Sequence, residues 1–305
     1  MDIFTIISVL VFLSAIFGYI NARFLKLPNS IGLMLITIVF TLVVFGIGYI
    51  DDTLINAERY IITQIDFKSV LLDIMLSFLL FAGALHTNFE QLKVQRWPIL
   101  VFSTLGVLVS TFLVGTSMYY LLQLLGMNIS FIYCLLFGSL ISPTDPIAVL
   151  GILKKAGAPK QLETKIVGES LFNDGVGVVV FLTIFQLASA TEVAVSPLDI
   201  LELFGVEVIG GLALGLALGW GTWKLIEVII TLATVMVGTL IAQKFHLSAP
   251  LAMVAAGLVV GNDTVRNSAM SATTETYVDK FWELLDILLN TLLFVLIGME
   301  MLVLS

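Results

Sequence analysis

The chain has 305 residues, 59% of them hydrophobic and 12% charged, with a mean hydropathy of +1.09. A soluble core cannot absorb that much apolar surface, so the composition excludes a water-soluble globular domain and specifies an integral membrane protein. The net charge of -8 lies mainly between apolar runs; no basic stripe points to nucleic acid, and the single cysteine, Cys134, excludes an internal disulfide.

Ten apolar segments are long enough, or nearly so, to cross a bilayer as helices. They run over about 3–20, 29–48, 67–85, 97–125, 131–153, 163–189, 198–223, 227–243, 247–261 and 281–304. The first has no basic residue ahead of it and no small-residue cleavage site, which marks a retained span rather than a removable signal peptide. All ten read as continuous apolar runs, not as the short alternating strands of an outer-membrane barrel, so the expected fold class is an all-α polytopic membrane protein. The ninth segment is short, and between the seventh and eighth only Lys224 and Glu227 mark a loop.

Loops 1–2, 3–4, 5–6, 7–8 and 9–10 carry eleven lysines and arginines, and the opposite side carries three, Arg59, Lys68 and Lys244. Basic loops stay in the cytoplasm, so the N-terminus is expected outside it, with the chain in the cell membrane.

The third segment contains LLDIMLSFLLF (71–81) and the tenth LLDILLNTLLF (284–294), alike at eight of eleven positions and 213 residues apart. A second echo pairs RFLKLPNSIGLM (23–34) with KFHLSAPLAM (244–253). Segments one to three then correspond to eight to ten. A period of seven helices inverts the second copy, the plan of many secondary transporters. The expected layout is a single membrane transport domain, with a first repeat over about 1–190, a linker helix over about 198–223 and a partial second repeat over about 227–305. Counterparts of segments five and six would fall past Ser305, so the domain is expected to be incomplete at its C-terminus.

Polar residues concentrate in segments five and six. Asp174 stands eleven residues into segment six, about 16 Å deep and close to the bilayer midplane. Asp145 is similarly central in ISPTDPIAVL (141–150), and Glu169 precedes Asp174 by little more than a turn. A carboxylate at such depth costs on the order of 2.5–3.5 kcal/mol, and no span offers a central lysine or arginine to offset it. Pro143 and Pro146 lack amide protons, which predicts a helix break around 141–147 with freed carbonyls at Ser139 and Ser142. Those carbonyls, with Thr144 and Asp145, are hard oxygen ligands suited to a small hard cation. On segment six, Ser170 and Asp174 share one face; Glu169 and Asn173 share the adjacent one. Glu169 reads equally well as a participant or as a structural partner. Asp73 and Asp286 are expected near helix starts, complementing the dipole or snorkelling, and His86 and His246 as solvated loop residues.

The stretch FGSLISPTDPIAVLGILKKAGAPKQLETKIVGESLFNDGVGVVVF (137–181), with a TDP motif on one helix and ESLFND on the next, closely resembles the NhaP-type sodium/proton antiporters. Weaker similarity extends over nearly the whole chain. The resemblance implies that Asp174 carries the transported ion or proton, that Ser170, Asp145 and Thr144 are further Na+ ligands, and that Asn173 stabilises the crossing of the broken helices. It also implies electroneutral exchange, since the motif holds an Asn-Asp pair. Glu169 matches a family glutamate that pairs with an arginine on a later helix, beyond Ser305. Family members commonly form homodimers and have about thirteen spans. The physics is a competition: proton and cation each neutralise Asp174, and a rocking step open only to the neutral carboxylate couples their fluxes. Such a transporter is no enzyme and needs no cofactor. K+ in place of Na+ stays open, as does an inactive or partial subunit completed by another chain. An intramembrane aspartyl protease would need a GxGD-type motif, which is absent.

Overall fold

The computed structural model describes residues 3–48, 66, 68–146, 149, 153, 156–189 and 197–303. All regular structure among them is helical, as expected where lipid leaves no solvent for backbone groups. Five helical stretches are long and apolar enough to cross a membrane: Thr5–Leu25, Arg96–Leu124, Lys160–Ser189, Phe204–Leu225 and Ala272–Glu300.

In chain order, α1 spans Ile3–Ile20 and continues as a π-helical turn, Asn21–Leu25; α2 spans Asn29–Gly48. A π-helical stretch, Ser69–Met75, leads into α3, Leu76–Leu85. Then come α4, Phe89–Val94; α5, Arg96–Val101; a π-helical stretch, Phe102–Gly106; and α6, Val107–Leu124. They are followed by α7, Phe131–Ile141; α8, Lys160–Ser189; α9, Pro197–Thr222; α10, Val228–Lys244; α11, Ala249–Val260; α12, Asp263–Ala269; and α13, Ala272–Val303.

The chain forms two compact units. The first comprises residues up to Met75 and those from Phe281 on. Its core is Phe17, Leu33, Val295 and Met299. Asn21 sets the α1–α2 turn: its amide donates to the Leu27 carbonyl at 3.0 Å and its Oδ1 accepts from the Leu27 amide at 3.3 Å. The hydroxyl of Thr41 donates to the Gly298 carbonyl at 2.9 Å, tying α2 to α13.

The second unit is Leu76–Lys280. Two hydrophobic clusters fill it, one around Leu80, Leu92, Leu171 and Val254 and one around Val107, Val176, Val179 and Leu251. At its centre lies α11, which packs against α3, α8, α9 and α10. A helix buried on nearly every side can be apolar all round, and APLAMVAAGLVV fits that rule. The Ser248 hydroxyl caps it, accepting from the Leu251 amide at 3.3 Å, with Pro250 in the first turn where no donor is missed.

Observed and expected helix ends agree closely for the first two segments and for six to nine. One difference has a clear physical cause. The helix of the tenth segment, α13, begins at Ala272, nine residues before its apolar run, because Ser271 caps it: the Ser271 hydroxyl accepts from the Thr274 amide at 3.1 Å. Asp286 is therefore not near a helix start. It lies about four turns in and accepts from the Asn290 side chain at 3.1 Å. The Asp73 side chain and most of 147–155 lie outside the described residues.

Candidate functional site

The site is built where α7 stops. The last helical bond of that stretch runs from the Ser142 amide to the Gly138 carbonyl at 3.1 Å, and residues 142–146 leave the helix. Pro143 and Pro146 supply no amide proton for a further turn. The Ser142 hydroxyl stabilises the stop, donating to the Gly138 carbonyl at 2.7 Å while accepting from the Thr111 hydroxyl of α6 at 3.2 Å. Close approach of α6 and α7 needs Gly138, since a Cβ there would collide with the Thr111 carbonyl. Gly177 plays the same part on α8: a Cβ on it would run into the Pro143 ring. The proline-flanked segment therefore lies directly against α8.

Opposite that segment α8 presents its polar residues. Asn173 is fully buried, and its amide donates to Glu169 Oε1 at 2.8 Å, to the Thr144 hydroxyl at 3.0 Å and to the Thr144 carbonyl at 3.5 Å. The Thr144 hydroxyl lies 3.4 Å from each Glu169 oxygen, long for a hydroxyl–carboxylate bond. One asparagine thus ties the irregular segment to the helix beside it. Glu169 is held in that network.

Asp174 is half-buried and one residue further on. It is the fifteenth residue of the thirty in α8, about 21 Å from the helix start and hence mid-span. The charges of both Asp145 and Glu169 bear on it. Among the described residues, no lysine, arginine or histidine pairs with it. Ser170 and Asn173 are nearly or wholly buried, yet the Ser170 hydroxyl and Asn173 Oδ1 have no hydrogen-bond partner among the described residues. Each such orphan costs about 1–3 kcal/mol, and two of them beside a mid-span carboxylate form a set of unsatisfied oxygens. Thr144 and Asp145 are exposed. No three His, Cys, Asp or Glu side chains among the described residues converge as a metal-ion site would require. The oxygens on offer are mixed hydroxyl, amide and carboxylate, with little charge for a multivalent ion.

Pro143, Thr144 and Asp145 are thus brought against the helix that carries Glu169, Ser170, Asn173 and Asp174, and Pro146 follows them in the same irregular segment. A second polar cluster was not legible beforehand. Arg266 of α12 is 12% exposed and donates to Glu275 at 3.1 Å and to both oxygens of Asp279, one at 3.3 Å. His86 lies in the exposed turn after α3, as expected, and in addition its Nδ1 sits 2.8 Å from the Ala82 carbonyl and its Nε2 3.9 Å from Asp279. The available signal was the capping serine, Ser271, which turns 272–280 into helix and puts Glu275 and Asp279 on one face.

Comparison with known proteins agrees with this architecture. The family model "Sodium/hydrogen exchanger, transmembrane" matches residues 11–305. The Na(+)/H(+) antiporter NhaP of Pseudomonas aeruginosa is 49% identical over 311 aligned positions, covering 98% of this chain and 72% of that protein. The Na(+)/H(+) antiporter NhaH of Halobacillus dabanensis is 35% identical over 289, covering 92% and 69%. In fold, the chain is similar to the sodium proton antiporter MjNhaP1 of Methanocaldococcus jannaschii at pH 8, with a TM-score of 0.74, 20% identity, and coverage of 98% of this chain and 71% of that one. With a family model matched over nearly its full length, the chain belongs to the transmembrane sodium/hydrogen exchangers, among their NhaP-type members.

Proposed function

We propose that this chain is a secondary antiporter that exchanges Na+ for H+, with Asp174 as the group that accepts either ion. The observation that carries the reading is the electrostatic position of Asp174: mid-span, half-buried, and beside the charges of Asp145 and Glu169. Neighbouring negative charges in a low-dielectric setting are uphill unless a proton or a cation neutralises one of them. A proton on Asp174 removes its charge, whereas a cation cancels it by coordination. The two cannot share the carboxylate, so their binding is competitive. If the protein reorients only when the site is neutral, inward movement of one ion obliges outward movement of the other.

In this reading the cation is held by Asp174, Asp145, the Ser170 hydroxyl and Thr144. Asn173 is a positioning residue that keeps the proline-broken segment against α8. One charge in each direction makes the exchange electroneutral. The helices are arranged as ten spans, a first repeat with a break around 141–147, a linker helix and a partial, inverted second repeat; the paired LLDI stretches support the repeat. The N-terminus faces away from the cytoplasm and two copies form the working unit. Parallel exchange assays with Na+, K+ and Li+ decide the cation.

The test is exchange in reconstituted vesicles carrying a proton gradient. Wild type should dissipate the gradient on addition of Na+, and Asp174→Asn, inserted to the same level, should not. Sodium-driven proton movement in that variant would sink the proposal.

A further inference from the structure

We infer a binding site for an anionic diacyl phospholipid on the Leu76–Lys280 unit, where α4 meets α5. Two apolar grooves lie there. One, of about 410 Å³, is lined by Leu92, Ile99 and Leu100 together with Lys93 and Arg96. The other, of about 470 Å³, runs along α9 and α11 past Leu212 and Leu216. Both include Phe89, Phe172 and Leu258 in their walls, so they adjoin. Each has the size of a small-molecule pocket, and two apolar channels meeting at one place match two acyl chains joined at one glycerol.

Three observations set the depth of this place in the bilayer and the charge of its occupant. A membrane-length helical stretch begins at Arg96, so Lys93 and Arg96 stand at the end of a span, the level of lipid headgroups. Trp97 is 68% exposed there, with the Arg96 guanidinium 5.9 Å from its ring centre; exposed tryptophan is the ordinary marker of the interface. Among the described residues lining the first groove, the charged ones are Lys93 and Arg96, both cationic and both exposed. Lys160 adds a third cation in the polar crevice alongside, with Gln91 and Gln95. Glu90 lines none of these grooves and sits instead in the first turn of α4, where it complements the helix dipole. Apolar channels with cations at their mouth select a phosphate on a hydrocarbon body, and an anionic headgroup over a zwitterionic one.

The experiment is retention of lipid by the purified protein from bilayers of equal phosphatidylglycerol and phosphatidylcholine, read by native mass spectrometry. Wild type should hold phosphatidylglycerol in preference. Lys93→Gln with Arg96→Gln should lower that preference about thirtyfold, as expected for removing two basic contacts at the membrane surface. Leu258→Trp, which blocks the grooves and leaves the cations, should lower retention of both lipids. Should either variant fail to fold, photo-crosslinking of wild type with an acyl-labelled phosphatidylglycerol supplies the decision: label on peptides containing 89–100 supports the site. Equal preference in wild type and the double variant, or label absent from 89–100 because protein covers the grooves, overturns it.

Discussion

Two clusters of acids in the Leu76–Lys280 unit have opposite fates. Around Asp279 and Glu275 the chain supplies its own cation: Arg266, 12% exposed, reaches both carboxylates, and His86 stands 3.9 Å from Asp279. Around Asp174 the charges of Asp145 and Glu169 accumulate with no protein cation paired to it among the described residues. On the proposed function, the difference separates an acid that holds the fold from one that does work. A fixed guanidinium neutralises a carboxylate permanently and rigidly. A carboxylate left without one must borrow its neutralisation from the solution, and what is borrowed can be returned on the other side of the membrane.

The sharpest way to break this contrast is to remove the central charge of each cluster and measure exchange and stability on both. Asp174→Asn is expected to lose at least about a hundredfold of exchange, more than about 2.7 kcal/mol of coupling, while its unfolding temperature stays at or above that of wild type because a repulsion is relieved. Arg266→Gln should do the reverse. It strands two half-exposed acids, so the cost is about 2 kcal/mol, below the full value for a buried pair because solvent screens Glu275 and Asp279. Exchange measured per folded molecule should persist. If Asp174→Asn destabilised the protein and Arg266→Gln abolished exchange without lowering stability, the roles assigned here would be inverted.

Dependence on pH and on Na+ sharpens the same comparison. If protonation of Asp174 excludes the cation, as proposed, the apparent Na+ affinity should fall as pH is lowered, by up to about tenfold per pH unit where the proton dominates the site. Because ligand binding stabilises the folded state, Na+ should raise the unfolding temperature of wild type more at alkaline than at acidic pH, and not at all in Asp174→Asn. The deficit of Arg266→Gln should be unchanged by Na+. Thermal unfolding across a grid of pH and Na+ concentration measures all three, and an Na+ effect independent of pH would remove competition from the mechanism.

How much of this was legible in the sequence depends on whether the signal was local. Spans such as 3–20 and 29–48 match their helices because uninterrupted apolar runs have one solution in lipid. The break at 142–146 was legible because proline has no amide proton, and the Asn173–Glu169 contact because four residues make one turn. The Arg266 cluster was not. It joins positions 86, 266, 275 and 279, and no periodicity links the histidine to the rest. The early start of α13 was missed because ATTETYVDK lacks apolar character; its helix depends on the Ser271 cap and Glu275 in the first turn, signals that a search for apolar runs does not weigh. The orphaned oxygens of Ser170 and Asn173 could come only from coordinates, since burial without a partner is a property of packing.

Those oxygens give the smallest expected effect and the most discriminating one. Ser170 is nearly fully buried and its hydroxyl has no partner among the described residues. If it is an idle defect of packing, Ser170→Ala should raise stability and leave transport alone, because removing a buried unsatisfied group relieves its desolvation cost. If it is a cation ligand, the same change should raise the unfolding temperature in the absence of Na+ but weaken Na+ activation of exchange by about fivefold, roughly 1 kcal/mol for one neutral oxygen. Both arms predict a more stable apo protein, so stability alone decides nothing. The Na+ concentration giving half-maximal exchange separates them, and a value equal to that of wild type would leave Asp174, Asp145 and Thr144 to hold the cation without Ser170.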